Sequence, residues 1–179
     1  MRKLLRLLIE LAFIFAVGLI AVKYEGISQE EYITILVALF LLYLFYRYTK
    51  KQRLLHSTLK KIDQMDGVKF EEYLMYQFKK KGYRVQMTPI SGDFGADLVL
   101  KRRRKKYVIQ AKRYSGSVGI KAVQEIIGAK QYYGIDNGMV ITNSYFTKAA
   151  KELAEASDIT LWGRDEIVNQ FNIESGYRG

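Results

Sequence analysis

Cysteine is absent from the 179 residues of this chain, and histidine and proline occur once each. The lack of cysteine excludes disulfide bonds and, with a single histidine, His56, it excludes a zinc site built from Cys and His ligands. The same scarcity removes the Ser-His-Asp and Cys-His arrangements of nucleophilic catalysis. An enzyme of this composition must rely on carboxylates, lysine, tyrosine, serine or a metal that prefers oxygen ligands, above all Mg²⁺.

Acidic residues are also comparatively few. Lysine and arginine outnumber aspartate and glutamate by 29 to 18, which gives a net charge of +11 at pH 7. Most of the excess lies in residues 67–179, where 19 basic residues stand against 12 acidic ones. A charge of this size favours a negatively charged partner, either nucleic acid or an anionic membrane surface.

Two apolar runs near the N-terminus predict two membrane spans. The first lies between Arg6 and Lys23 and contains one charged residue, Glu10, whereas the second lies between Glu31 and Arg47 and contains none. Flanking leucines and tyrosines would extend each run toward the ~30 Å of a hydrocarbon core. The alternatives are a helical hairpin buried in a soluble protein and, for the first run alone, a signal peptide.

The charges around these runs predict their orientation. The intervening segment "KYEGISQEE" contains one lysine and three glutamates, whereas the outer flanks are basic. The positive-inside rule then places both termini in the cytoplasm, as in a multi-pass protein of the inner cell membrane. The predicted organisation is two spans with an external loop over 1–48, a helical connector over 49–66, a soluble cytoplasmic domain over 67–170 and a tail over 171–179.

The soluble part has the alternating helix and strand patterns of an α/β domain. Helices are expected where apolar residues recur at helical spacing, and strands where short β-branched runs lie between turn residues. The predicted helices are 66–81, 120–133, 147–157 and 164–171, and the predicted strands are 83–87, 96–100, 106–112, 138–143 and 159–163.

Polar residues interrupt the two central predicted strands. If these strands form a hairpin around the basic turn "KRRRKK", Asp97 falls opposite Gln110, and Val99 opposite Val108. Opposed residues share a face at roughly 5 Å between Cβ atoms, and Lys112 shares that face because side chains alternate along a strand. A register shifted by one residue would scatter the three polar groups.

Such a cluster suits metal-assisted hydrolysis of a phosphodiester. The carboxylate of Asp97, the side-chain oxygen of Gln110 and the backbone carbonyl of Ala111 could hold Mg²⁺ together with waters and a phosphate oxygen. The metal would stabilise charge on the reacting phosphate and help to ionise a bound water, while Lys112 would orient that water or neutralise the phosphate. The alternative is a buried Asp–Lys ion pair with glutamine as a hydrogen-bond partner.

The segments "FEEYL", "SGDFGADLVL", "YVIQAKRY" and "VQEIIGAKQYYG" resemble the Mrr-type restriction endonuclease domain, a branch of the PD-(D/E)xK nuclease superfamily, over about residues 67–170. The resemblance implies an α/β fold with a restriction-endonuclease-like mixed sheet flanked by helices, here preceded by a transmembrane helical hairpin. It also implies cleavage of DNA with Mg²⁺ or Mn²⁺. The family's aspartate falls on Asp97 and its QxK motif on Gln110 and Lys112. Glutamine at this position is typical of the branch but leaves the site one carboxylate short.

Two residues are candidates for the missing carboxylate. Glu71 matches a helix glutamate of related sites and is preferred over its neighbour Glu72. Asp93 lies four residues before Asp97 on a glycine-bracketed loop, where a turn-forming role is the alternative. Gln124, on the helix after the site, is a further candidate to reach the water or the phosphate, with a solvated helix position as the alternative.

Basic residues predict where DNA would be contacted. Arg113 and Lys121 lie closest to the site, and Arg102, Arg103 and Arg104 lie at the hairpin tip, where a solvated turn is the alternative. No pattern for base recognition is present. The resemblance raises methylated DNA as a substrate and a homodimer or larger homo-oligomer as the active form. Two other functions stay open: a non-catalytic nucleic-acid-binding module tethered to the membrane, and a membrane assembly protein.

Overall fold

A computed structural model of the chain describes residues 28–88 and 94–174. The chain divides into two compact units, Met1–Lys50 and Lys51–Gly179. The first described element is a long helix, α1 (Gln29–Leu55), which contains the second apolar run.

Helix α1 has the length and composition of a membrane span. Within the described ranges it is the one helix that meets both criteria, with a mean hydropathy of 1.6 in its apolar window. Most of its large apolar side chains between Ile33 and Tyr48 are exposed. The first predicted span, between Arg6 and Lys23, lies outside the described residues, so the pair of spans stays a prediction.

The predicted connector is divided into two pieces. Helix α1 ends at Leu55, and a short helix, α2 (Leu59–Asp63), begins after three further residues. The side chains of Leu54, Ile62 and Met65 are buried in an apolar core of the second compact unit. These apolar side chains of the connector therefore pack into the α/β domain.

The remaining helices and strands follow the order that the sequence predicts. In chain order they are α3 (Gly67–Lys80), β1 (Arg84–Met87), β2 (Leu98–Arg102), β3 (Lys105–Lys112), α4 (Ile120–Tyr133), β4 (Asn137–Thr142), α5 (Lys148–Ala156), β5 (Ile159–Trp162) and α6 (Arg164–Phe171).

Local side-chain chemistry sets several helix ends. Asp66 caps α3 by accepting a hydrogen bond from the backbone amide of Lys69 at 2.8 Å, and the hydrogen bonds from Lys69 hold the pKa of this carboxyl below its ordinary value. Thr147 caps α5 by accepting a hydrogen bond from the amide of Ala150 at 3.2 Å. Helix α4 ends at Gly134, which has a left-handed φ of 59°. The two N-terminal caps satisfy amides that have no partner within their own helix, whereas the amide of Gly134 donates to the carbonyl of Gln131 at 3.3 Å.

The five strands form one sheet in the order β1-β2-β3-β4-β5. Strands β1, β2 and β3 pair antiparallel, whereas β3, β4 and β5 pair parallel, so the sheet is mixed as expected. Parallel neighbours require a crossover connection, and α4 and α5 supply the two crossovers.

An apolar core lies on each face of the sheet. On one face, α2, α3 and α6 pack against side chains that include Leu98 and Ile109. On the other face, α4 and α5 pack against side chains that include Val108 and Val140. Successive side chains of a strand point to opposite faces, so Gln110 and Lys112 project from the face that carries Val108 and α4.

Candidate active site

The β2–β3 hairpin has the predicted register. Leu98 pairs with Ile109 and Val99 with Val108, and the ladder runs to the basic turn. Just before β2, the backbone amide of Asp97 donates to the carbonyl of Ile109 at 2.8 Å. The register prediction is therefore confirmed for the ladder, and Asp97 lies beside the C-terminal end of β3.

The carboxylate of Asp97 binds two donors from β3. Gln110 Nε2 donates to Asp97 Oδ2 at 2.7 Å, and the backbone amide of Ala111 donates to the same oxygen at 2.7 Å. The backbone carbonyl of Asp97 instead accepts from the amide of Thr88 at 3.0 Å. Beyond the end of the hairpin ladder, the side chain of Asp97 therefore accepts the hydrogen bonds from β3, and this brings Asp97 and Gln110 into contact.

The contact with Asp97 determines how the Gln110 amide is oriented. Only the NH₂ group can face a carboxylate, so the side-chain oxygen Oε1 points away from it. Gln110 is 5% exposed, and Oε1 is buried with no hydrogen-bond partner among the described residues. A buried acceptor without a donor costs roughly 1–3 kcal/mol. A cation is one partner that would satisfy this atom, and carboxylate and amide oxygens are ligands that Mg²⁺ accepts, so the types of donor present fit Mg²⁺.

The backbone of Ala111 also presents an oxygen toward this position. In a regular strand the amide and the carbonyl of one residue point to the same side, and the Ala111 amide points to Asp97. No cluster of three Asp, Glu, His or Cys side chains occurs within the described ranges. Protein ligands for a metal here would therefore be one carboxylate, one amide oxygen and one backbone carbonyl, with water or phosphate completing the shell.

Lys112 forms an ion pair with a residue that the sequence reasoning missed. Its Nζ lies 2.8 Å from Oε2 of Glu125 on α4, and the two side chains are 34% and 28% exposed. Glu125 comes from the helical layer that Lys112 faces. The lysine is therefore held by a carboxylate of the neighbouring helix.

The helical periodicity of α4 distinguishes the position of Glu125 on the helix from that of Gln124. Ala122, Val123, Ile126 and Ala129 form the buried stripe of α4. At about 100° per residue, Glu125 flanks this stripe whereas Gln124 lies nearly opposite to it. In the structure Gln124 is exposed.

Of the two candidate carboxylates of the sequence analysis, the structure describes one. Glu71 is half-buried on α3, and α3 packs on the face of the sheet opposite α4. Asp93 lies outside the described residues. Among the described carboxylates, Glu125 is the one that forms an ion pair with the lysine of the QxK motif.

A cleft opens beside this ion pair. It has a volume of about 250 Å³ and is lined by Lys112, Glu125, Lys121, Ser117 and Gly119, together with Tyr114, Val118 and Ala122. Lys121 is exposed here, at the start of α4. The amides of this first helical turn and two lysines thus lie near one another, an arrangement that favours a bound anion.

The basic hairpin tip lies at the other end of the strands. Arg102, Arg103 and Arg104 are exposed, and Arg102 also covers the ring of Tyr83 at 5.2 Å. Lys101 pairs with Lys106 across the ladder, which opposes two like charges. Within the described residues no ion pair involves a cation of this tip.

Arg113 is engaged by the connector. Its guanidinium donates to the backbone carbonyl of Asp63 at 2.6 Å. The carboxylate of Asp63 binds Arg164 through both oxygens, at 2.8 and 2.7 Å, and accepts from Asn143 Nδ2 at 2.8 Å. Asn143 Oδ1 in turn accepts from the amide of Tyr114 at 2.8 Å. This network holds the chain where it leaves β3, directly after Lys112.

Residues 62–171, more than half of the chain, match the Mrr_cat family, which is described as a restriction endonuclease. No curated protein sequence matches the chain. The matched range contains the whole sheet and every described residue of the candidate site.

Three solved structures are similar to parts of this chain at low sequence identity. The DNA modification-dependent restriction endonuclease AspBHI is 20% identical with a TM-score of 0.51, over 68% of this chain and 35% of that protein. AF1548, a protein of unknown function, is 19% identical with a TM-score of 0.46, over 52% and 55%. MspJI, a restriction endonuclease in complex with a 27-mer oligonucleotide, is 19% identical with a TM-score of 0.40, over 75% and 30%.

The chain covers 30% to 55% of the length of these three proteins, and the likeness to AspBHI bears on the fold alone. The family match spans the sheet that carries Asp97, Gln110 and Lys112, and the mixed α/β architecture agrees with it. This chain therefore belongs to the Mrr_cat restriction endonuclease family.

Proposed function

We propose that this protein is a metal-dependent endonuclease that hydrolyses phosphodiester bonds of DNA and is anchored in a membrane by its N-terminal segment. The observation that carries the proposal is the buried Oε1 of Gln110, which has no partner among the described residues. It lies on an amide that donates to Asp97 at 2.7 Å, two residues before Lys112. An oxygen-ligand site supports metal-assisted phosphodiester cleavage, and a nearby lysine adds positive charge for the reacting phosphate.

The residues divide the chemical work between them. Asp97, Gln110 Oε1 and the Ala111 carbonyl would hold Mg²⁺ or Mn²⁺. When bound, the metal supplies charge stabilisation at the phosphate and makes a bound water more acidic. Lys112, two residues after Gln110 on the same face of β3, lines the cleft, where its ammonium group would orient the attacking water or neutralise the scissile phosphate.

DNA would contact the domain at two places. Lys121 and the first turn of α4 border the cleft and would bind phosphates next to the scissile one. The tip residues Arg102, Arg103 and Arg104 lie about seven residues of β3 away from Lys112, or roughly 24 Å. That distance is shorter than the ~34 Å turn of a DNA duplex, so one duplex could reach both places. Arg113 would act on DNA only indirectly, because it binds Asp63.

Membrane anchoring rests on α1. The helix is long and apolar enough to span a bilayer, and its apolar side chains are exposed. With the basic flanks of the sequence, this supports a cytoplasmic nuclease domain tethered to the inner membrane. Resistance of the protein to alkaline extraction from membranes would support the anchor, and release into the soluble fraction would contradict it.

The decisive test is cleavage by the full-length protein in detergent. Plasmid DNA, unmodified or methylated, is incubated with Mg²⁺ or Mn²⁺ and the wild-type, Asp97→Ala or Lys112→Ala protein. We expect metal-dependent cutting by the wild type and loss of cutting in both variants. A fully active Asp97→Ala protein would exclude the site.

The cleavage products report the oligomeric state, and the binding curves distinguish a nuclease from a binding module. One site cuts one strand, so double-strand breaks would indicate a homodimer or a larger homo-oligomer, whereas nicks would indicate a monomer acting alone. Salt-sensitive DNA binding without any cutting would instead support a non-catalytic nucleic-acid-binding module.

A further inference from the structure

Helix α4 touches the site at the loop that precedes Asp97 as well as at Lys112. A Cβ atom placed on Gly95 would lie 2.7 Å from the carbonyl oxygen of Glu125 and 2.9 Å from its Cβ. Gly95 also has a φ of 88°, in the left-handed region. The loop backbone therefore lies directly against Glu125, and glycine is needed for both its conformation and its lack of a side chain.

A second contact holds the same loop to the same helix. The ring of Phe94 stacks on Tyr132 with 3.7 Å between ring centroids and 20° between ring planes. Glu125 and Tyr132 are seven residues apart, which places them on one side of α4, two turns from each other. The residues that lead into Asp97 are thus packed on α4 at two neighbouring points.

Glu125 contacts both the loop that leads into Asp97 and the side chain of Lys112. Its backbone contacts Gly95, two residues before Asp97, and its carboxylate lies 2.8 Å from Lys112 Nζ. The lysine side chain has four rotatable bonds and about 2 kcal/mol of rotamer entropy, so an ammonium group without a fixed partner would sample many positions. A misplacement of about 1 Å can reduce a reaction rate by about 100-fold.

We propose that Glu125 is the positioning residue of this site: it holds the ammonium group of Lys112 in register with Asp97, through its carboxylate on one side and its packing against Gly95 on the other. The inference rests on the proposed nuclease function and adds to it. It also gives the site a second carboxylate from α4, whereas Glu71 lies on a helix of the opposite face.

A merely structural ion pair makes different predictions. A pair in which both side chains are about one third exposed contributes little to stability, about 1 kcal/mol or less. Loss of such a pair would change the melting temperature slightly and leave kcat unaltered. A positioning role instead predicts a large loss of kcat, with only small changes in melting temperature and in DNA affinity.

The test compares Glu125→Gln, Glu125→Asp and the wild type as full-length protein in detergent. We expect Glu125→Gln to lower kcat about 10- to 100-fold with KM and melting temperature nearly unchanged, and Glu125→Asp to restore part of kcat. Glu152→Gln is the matched control, because Glu152 is an exposed helix glutamate that lies 3.6 Å from Lys148. Wild-type kcat in Glu125→Gln would overturn the inference.

A double-mutant cycle separates action through Lys112 from an independent role. If Glu125 acts by holding the lysine, adding Glu125→Gln to Lys112→Ala should reduce the rate no further. An additional tenfold loss in the double variant would contradict positioning through Lys112.

A measurement that does not depend on cleavage tests the Lys112–Glu125 ion pair separately from the proposed nuclease function. Labelling by an amine reagent, followed by mass spectrometry, measures the reactivity of Lys112 relative to the exposed Lys121. We expect this ratio to rise in Glu125→Gln, and an unchanged ratio would contradict the ion pair. A wild-type protein that never cuts would reject the proposed function, whereas an active Glu125→Gln protein would reject only the positioning role.

Discussion

Asp63 and Arg164, 101 residues apart in the chain, form a two-pronged ion pair in which Nη1 lies 2.8 Å from Oδ1 and Nη2 lies 2.7 Å from Oδ2. The pair joins the connector to the start of α6. Asn143 extends it to Tyr114, at the exit from β3. The strand end that carries Lys112 is therefore held by residues drawn from distant parts of the chain.

Removing the Asp63 carboxylate should destabilise the domain. Asp63→Ala leaves the guanidinium of Arg164 without its counter-ion at a site about one fifth exposed, so we expect a loss of about 2 kcal/mol. Thermal unfolding in detergent measures this loss. Lys148→Ala, which breaks an exposed ion pair, is the control and should leave the melting temperature nearly unchanged. Equal effects of the two substitutions would contradict the network's role.

Gln110→Glu should make the domain less stable without metal and more responsive to metal. It replaces a 2.7 Å hydrogen bond to Asp97 with two facing carboxylates, a loss of about 1–3 kcal/mol. A divalent cation would relieve the repulsion between them. Melting temperatures with and without Mg²⁺ test this, and Gln124→Glu on the exposed side of α4 is the control. A metal response no larger than that of the wild type would argue against a cation at Gln110.

Two glycine substitutions near α4 should have opposite effects on stability. Gly95→Ala meets the backbone of Glu125 at 2.7 Å and adopts an unfavourable φ, so we expect lower stability and slower cleavage. Gly128→Ala, on the helix itself, has open space around the added atom and should stabilise α4 by about 0.5–1 kcal/mol. Urea unfolding checks both, and a neutral Gly95→Ala would show that the loop can move away from α4.

A soluble fragment should need the connector. Beginning the chain at Gly67 removes Leu54, Ile62 and Met65 from the core, where each buried side chain contributes roughly 1.5–3 kcal/mol. Beginning it at Lys51 retains them. We expect the longer fragment to unfold cooperatively and the shorter one to aggregate or melt at a much lower temperature. Equal melting temperatures would show that the connector is dispensable.

The hairpin tip should contribute to DNA affinity and not to the rate at saturation. Replacing Arg102, Arg103 and Arg104 with alanine should reduce the slope of log K against log salt by up to about 3, because each phosphate contact adds about 0.9. Lys148→Ala with Lys151→Ala, two exposed cations on α5, is the control. An unchanged salt slope would exclude the tip from the DNA interface.

Much of the fold and of the site core could be predicted because it depends on local rules. Helix α4 covers the predicted range, since apolar residues recur at helical spacing and Gly134 ends it. The hairpin register follows from the turn and from strand alternation, and it brings Asp97 and Gln110 together. The residues of the QxK motif share a face because of that same alternation.

The partners of these residues could not be predicted, because they depend on how distant elements pack. The sequence does not say that α4 is rotated so that Glu125 meets Lys112, that Gly95 lies against that helix, or that Arg113 binds the carbonyl of Asp63. The role of Glu71, which was expected from the resemblance to related sites, stays a prediction.

The sequence by itself determined the secondary-structure pattern, the hairpin register and the three motif residues, since periodicity and turn chemistry act over a few neighbouring residues. Only the tertiary structure decided which carboxylate holds Lys112, how the Gln110 amide points and how the connector joins the core. Those outcomes follow from the packing of helices on two faces of one sheet, which is a property of the whole chain.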